Sequence, residues 1–290
     1  MSKPSIHRYQ HECMATFFEV RLAHENETYA RQAAQAAFAI ADRFEKLLSR
    51  FREDSEISQI RSLSPGEILK ISADTFHCLQ LADRMQTLTG GAFDPGLGTQ
   101  MDIQRGEVLP ENTLTSPKRG RLIMDPENFT VSVHNDPVAL DLGAIGKGFT
   151  LDRMAEELET WDATRALLVA GGSSILALDA PESNSTGWDI AITPTKPLLL
   201  KRCAIGASGT SVKGAHILDP RTGQSASGPH RTWAVHASAA IADALSTAWM
   251  LLGPDEIDHI CHQLSGTQAF LQHDTNDSSK LTSFGPYPSL

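Results

Sequence analysis

The sequence predicts an α+β fold. Helical and strand-like segments do not alternate as a doubly wound sheet requires, and hairpin-like strand pairs dominate the middle of the chain. No internal repeat or low-complexity tract points to a solenoid or an array.

CMATFFEVRLA (13–23) reads as an opening strand, rich in aromatic and β-branched residues. From about Glu27 to Phe51 the period becomes helical, with Phe38, Phe44, Leu48 and Phe51 on one stripe and Arg31, Asp42, Arg43 and Lys46 on the polar face. A second helix is expected over 73–89, stopped by Gly90-Gly91. GGAFDPGLG (90–98) is a glycine-rich loop, and short strands are expected at 122–124, 129–134 and 138–141. DLGAIGKG (141–148) should join a strand to a helix over about 149–160. ALLVAGGSSILAL (166–178) reads as two strands joined at Gly171-Gly172. Segments 187–193, 197–207 and 232–238 supply further strands. A helix is expected over 239–252 with Ser238 as N-cap and Gly253-Pro254 as the stop. Another follows near 255–264, then a possible strand at 269–272 and a loose tail over about 273–290.

Composition narrows the function. A net charge of -10 argues against nucleic acid as the main partner, because phosphate backbones select basic surfaces. Cys13, Cys78, Cys203 and Cys261 form no CxxC pair, which fits a reducing compartment. The first residues carry no apolar signal core, and no apolar run is long enough to span a bilayer. The expectation is a cytoplasmic protein without membrane insertion, forming a single domain over 1–290.

Three places carry possible chemistry. In ADALSTAW (242–249), Asp243 is the sole charge on an otherwise apolar helix, with Thr247 one turn on. Positions four apart share a face, so the two could offer hard oxygens to one Mg²⁺. The plain alternative is a dipole-stabilised Asp, with Thr247 bonding back to its own helix. DLGAIGKG could present backbone N–H groups and Lys147 to an anion. It matches neither a Walker A loop nor GxGxxG, and a purely structural turn reads equally well. In HILDPRTG (216–223), His216 could be a proton acceptor, or an adenine or phosphate contact. Alternatively, the segment is a turn closed by an Asp219–Arg221 pair.

Taken in order, MAT (14–16), SRFREDSEIS (49–58), GGAFDPGLG, DLGAIGKGFTLD, AGG, GWDIAI, ASG, HILDPRTG and ADALSTA resemble the ApbE-type FAD:protein FMN transferases. The likeness runs from about Met14 to Gly253. It implies an ApbE-like two-lobed α+β fold with mixed or antiparallel sheets and FAD in a cleft between the lobes. It also implies Mg²⁺-dependent transfer of FMN from FAD to a Thr or Ser of a target redox protein, releasing AMP. By the same resemblance, Met14, Ala92, Phe93, Asp94, Asp141, Lys147 and His216 would contact FAD. The backbone oxygen of Ala144, with Asp243 and Thr247, would hold Mg²⁺, and His216 or Asp243 would accept the hydroxyl proton. Arg61 stands where the family commonly has Asn. Hydrolysis of FAD to FMN and AMP, or flavin binding without turnover, are the competing readings.

Overall fold

The structure is a computed structural model describing residues 4–104, 120–182, 185–193, 196–209, 217–273 and 281–286. β1 (Ser5–Cys13) and β2 (Thr16–His24) form an antiparallel hairpin closed at Met14-Ala15, both left-handed at φ 52° and 54°. That geometry matches the twist of paired strands. α1 (Glu27–Leu48) follows, capped by the Asn26 side chain. Next come α2 (Glu56–Arg61), β3 (Ile68–Lys70), α3 (Ala73–Leu88) and α4 (Gly98–Gln104). β4 (Arg121–Asp125) and β5 (Thr130–His134) complete a three-stranded sheet ordered β3-β5-β4.

α5 (Gly146–Thr160) leads into β6 (Ala166–Ala170) and β7 (Ser174–Ala177). β8 (Trp188–Thr193) and β9 (Lys196–Leu200) form a separate hairpin. β10 (Cys203–Gly209), β11 (Arg231–His236), α6 (Ala239–Ala248), α7 (Pro254–Gln263), β12 (Gln268–Gln272) and β13 (Thr282–Phe284) finish the chain. The main sheet has eight strands, ordered β1-β2-β6-β7-β10-β11-β12-β13. Its pairings are all antiparallel.

Strand alternation gives this sheet two covered faces. Ala204 and Ala234 lie in the core beneath α1, α5 and α6, whereas Ile205, Trp233 and Val235 pack with Trp188, Ile190 and Leu200 of the β8–β9 hairpin. Small residues let α6 sit close to the sheet. A Cβ at Gly206 would come 2.4 Å from the Ala242 carbonyl oxygen, so glycine sets that approach. α6 is buried on nearly every side, as its apolar composition requires.

Several expectations need correction. The opening strand is the second arm of a hairpin, because β1 runs up to Cys13 before it; the alternation of exposed polar and half-buried residues in β1 carries little hydrophobic signal. α1 stops at Leu48, and Phe51 is 68% exposed rather than on the buried stripe. The segment at 138–141 is not a strand, although Val138 and Leu140 are buried. α5 begins inside the glycine turn, three residues early. Within the expected loose tail, β13 pairs with β12; residues 274–280 and 287–290 lie outside the described residues.

One charge network, centred on buried Arg50 and Asp102, joins the segment after α1 to α2, α4 and the glycine turn. Arg50, whose side chain is 8% exposed, pairs with Asp102 and, at 2.6 Å, with Asp141. Arg61 reaches the other Asp102 oxygen at 2.9 Å. Removing one member of such a set strands buried charge at a cost of about 3–5 kcal/mol. Asp102→Ala is therefore expected to destabilise by about that amount in urea unfolding. A change below about 1 kcal/mol would show that the network contributes little.

Candidate functional site

The head of α5 faces α6. Gly148 has no side chain because none would fit: a Cβ there would lie 2.1 Å from the Ala239 carbonyl oxygen. The close approach places the Gly148 N–H 2.8 Å from Asp243 Oδ2, to which it donates. Phe149 N–H closes the first helical bond, to the Ile145 carbonyl. The usual helical acceptor for Gly148, the Ala144 carbonyl, is thus relieved of that donor. Ser174 Oγ, at the start of β7, donates to Asp243 Oδ1 at 2.7 Å. Lys147 Nζ stands 3.9 Å from Asp243 Oδ2 and donates to the Gly143 carbonyl at 3.3 Å.

Asp243 is therefore buried and hydrogen-bonded on both oxygens. Burial pushes its pKa up, while Lys147, Ser174 and the Gly148 amide pull it down. Thr247 stays on the same helix. Its hydroxyl pairs with Ser208 Oγ at 3.1 Å and leans on the Asp243 carbonyl at 3.5 Å. The hydroxyl thus bonds back to its own helix, as the plain alternative expects, and across to β10.

The other predicted residues gather around this turn to different degrees. Asp141 Oδ1 accepts the Gly143 N–H at 2.8 Å, and its own N–H donates to the Pro95 carbonyl at 2.7 Å. That bond ties the Ala92–Asp94 loop to the glycine turn. In the loop, Ala92 and Phe93 are buried in the core, while Asp94 accepts the Gly96 N–H at 2.7 Å. Met14 reaches α5, where its sulfur lies 3.8 Å from the Thr150 hydroxyl. His216 lies outside the described residues. Its neighbours Asp219 and Arg221 do form a bidentate pair, and Arg221 also donates to the Leu251 carbonyl at 2.9 Å. A depression of about 470 Å³ lined by Arg50, Phe51, Arg52, Ser58, Arg61 and Leu69 includes none of the predicted site residues.

Three contributors were not singled out from sequence. Ser174 and Ser208 sit inside the quoted AGGSS and ASG stretches, but a serine in a strand gives no signal of its own. Asp152, the last residue of the quoted FTLD, accepts from Ser238 Oγ and the Ala239 and Ala240 amides at 2.6, 2.7 and 3.1 Å. It caps the N-terminus of α6 from α5, where the helix end favours negative charge but burial opposes it more strongly.

Burial raises the Asp152 pKa. The folded protein then holds the proton more tightly than the unfolded chain, so this group's contribution falls as pH rises from the ordinary carboxylate value through the raised one. Asp152→Asn removes that slope. The variant is expected to lose about 1–2 kcal/mol with the cap, and the deficit should shrink as pH rises through that window. Urea midpoints of both proteins across mildly acidic to neutral pH check this; a constant deficit would contradict it.

The fold is thus an antiparallel α+β one in which a buried carboxylate meets a glycine-rich helix start. The ApbE family model matches residues 14–271, and the chain belongs to the ApbE family. A FAD:protein FMN transferase of Buchnera aphidicola is 24% identical over 271 residues, covering 83% of this chain and 78% of that protein. The fold matches the apo crystal structure of the Pseudomonas stutzeri flavinyl transferase ApbE (TM-score 0.81, 21% identity, 98% and 97% of the two chains). It also matches the ApbE protein of Thermotoga maritima (TM-score 0.77, 25% identity, 92% and 94%). Among the described residues, no helix is long and apolar enough to cross a membrane.

Proposed function

We propose that this protein is a Mg²⁺-dependent FAD:protein FMN transferase that attaches FMN to a Thr or Ser of a target redox protein and releases AMP. Family membership and the names of the relatives support the transferase activity. The observation that carries the site is the Asp243 carboxylate, held by Gly148 and Ser174 at the head of α5.

The donor set fits Mg²⁺: a carboxylate, the Thr247 hydroxyl and the Ala144 carbonyl freed by the Gly148 bond are hard oxygens. When bound, the ion would neutralise the FAD diphosphate. Lys147 adds a positive charge where AMP departs, and Asp141 and Asp94 shape the loop that receives FAD. Met14, with the Ala92-Phe93 segment, borders the flavin in the cleft between the lobes. His216 is our preferred proton acceptor, with Asp243 the alternative; a base within reach contributes roughly 10²–10⁴-fold. The acceptor hydroxyl forms the new O–P bond to FMN, the diphosphate bridge breaks, and the hydroxyl proton passes to that base.

Incubation with FAD, Mg²⁺ and a Thr-bearing acceptor is expected to yield a fluorescent covalent flavin band and an equal amount of AMP. AMP release at the same rate without acceptor would select hydrolysis instead. Tight FAD binding without AMP would reject turnover altogether.

A further inference from the structure

Beside the β1–β2 turn, two elements gather four metal-ligating side chains that the flavin reading does not use. Cys13 ends β1, and His11 shares its strand face two residues earlier. Asp42 and Glu45 lie three apart on α1, so they are neighbours on the helix surface. One ligand atom from each of Cys13, Asp42 and Glu45 lies within 4.8 Å of the others. Cys13 Sγ is 3.7 Å from Glu45 Oε2. Sulfur and oxygen bound at ~2.3 and ~2.0 Å around a tetrahedral ion stand about 3.5 Å apart, so little movement is needed.

The surroundings hold these groups in place. Glu45 Oε1 accepts the Met14 N–H at 2.9 Å, and His11 Nε2 lies 2.6 Å from Asp42 Oδ1. Such outer hydrogen bonds orient metal ligands. Among the described residues, Asp42 has His11 as its ion-pair partner and Glu45 has no Lys or Arg within pairing distance. Two carboxylates thus crowd a buried thiol. Without an ion, the Cys13 thiol donates to Glu45 Oε2. The Asp42 side chain is 46% exposed, which leaves an entry path and an open position for water.

We propose that Cys13, Asp42 and Glu45 bind one zinc-class divalent ion, at a site separate from Asp243. The thiolate selects a borderline-soft ion over Mg²⁺ or Ca²⁺. On binding, the Cys13 S–H proton leaves to solvent as the sulfur–metal bond forms. The ion would clamp the left-handed Met14-Ala15 turn onto α1.

The test titrates the reduced, chelator-treated full chain with Co²⁺. Expected are a near-ultraviolet thiolate-to-cobalt charge-transfer band saturating near one equivalent, its displacement by Zn²⁺, and release of one proton. The band should vanish in Cys13→Ser and persist in Cys203→Ser and Asp243→Asn. Asp42→Asn, at a half-exposed position, should weaken binding by at least the roughly 10–100-fold that loss of an outer hydrogen-bond partner costs. No band in the natural chain, the same band in Cys13→Ser, or unchanged affinity in Asp42→Asn would each overturn the assignment. None of these readouts depends on flavin transfer.

Discussion

Asp243→Asn is expected to lower flavin transfer by about 10²–10³-fold while the protein stays folded. The substitution keeps the shape and one acceptor oxygen, so the Gly148 amide or the Ser174 hydroxyl retains a partner. It removes the anionic oxygen that would hold the metal on the diphosphate. Loss of one preorganised electrostatic contact typically costs that factor, about 2.7–4 kcal/mol in the barrier. Asp243→Ala should lose the same activity and also stability, since a buried amide and hydroxyl left without an acceptor cost about 1–3 kcal/mol each. AMP release and covalent flavin on the acceptor measure the first effect, and urea unfolding the second. Full activity in Asp243→Asn would remove the carboxylate from the mechanism.

Gly148→Ala should damage the fold itself. Its Cβ would meet the Ala239 carbonyl carbon at 2.4 Å and the Ala240 nitrogen at 2.7 Å, as well as the carbonyl oxygen. These are backbone atoms, which cannot swing aside as a flexible side chain would. α5 and α6 must separate, and the Gly148 N–H leaves Asp243. The expected cost is about 3 kcal/mol or more, which lowers Tm by roughly 6–12 °C in a chain of this size, and activity falls with it. Gly146→Ala is the control two residues away. Its Cβ would find only the Leu142 Cβ at 3.8 Å, an ordinary contact. Equal melting temperatures for the two variants would show that the close helix approach is not what glycine serves at 148.

Legibility from sequence followed the strength of local signals. α1 and α3 were readable because apolar residues recur at helical spacing and end at polar or glycine stops. Gly90 and Gly91, at φ 57° and 80°, are the stop expected after α3. Ser238 caps α6 as expected, its hydroxyl accepting the Ile241 N–H. β1 was missed because half of its residues face solvent, and a polar edge strand resembles a loop in composition. α2 and α4, of six and seven residues, are too short for a periodic signal to accumulate. Arg50 and Asp102 were invisible as partners, since nothing local distinguishes a buried arginine from a surface one.

By itself, the sequence determined that an isolated carboxylate on an apolar helix must be satisfied inside the protein, because burying an unpaired charge costs several kcal/mol. It also determined that the glycines of DLGAIGKG leave backbone available at a helix start, and its motif order identified the family. Only the tertiary structure decided who satisfies Asp243: an amide 95 residues earlier and a hydroxyl 69 residues earlier. It alone placed Asp152 beneath the start of α6 and brought Cys13 beside Glu45. Such pairings depend on how closely helices and strands approach, and long-range packing sets that distance where local periodicity cannot.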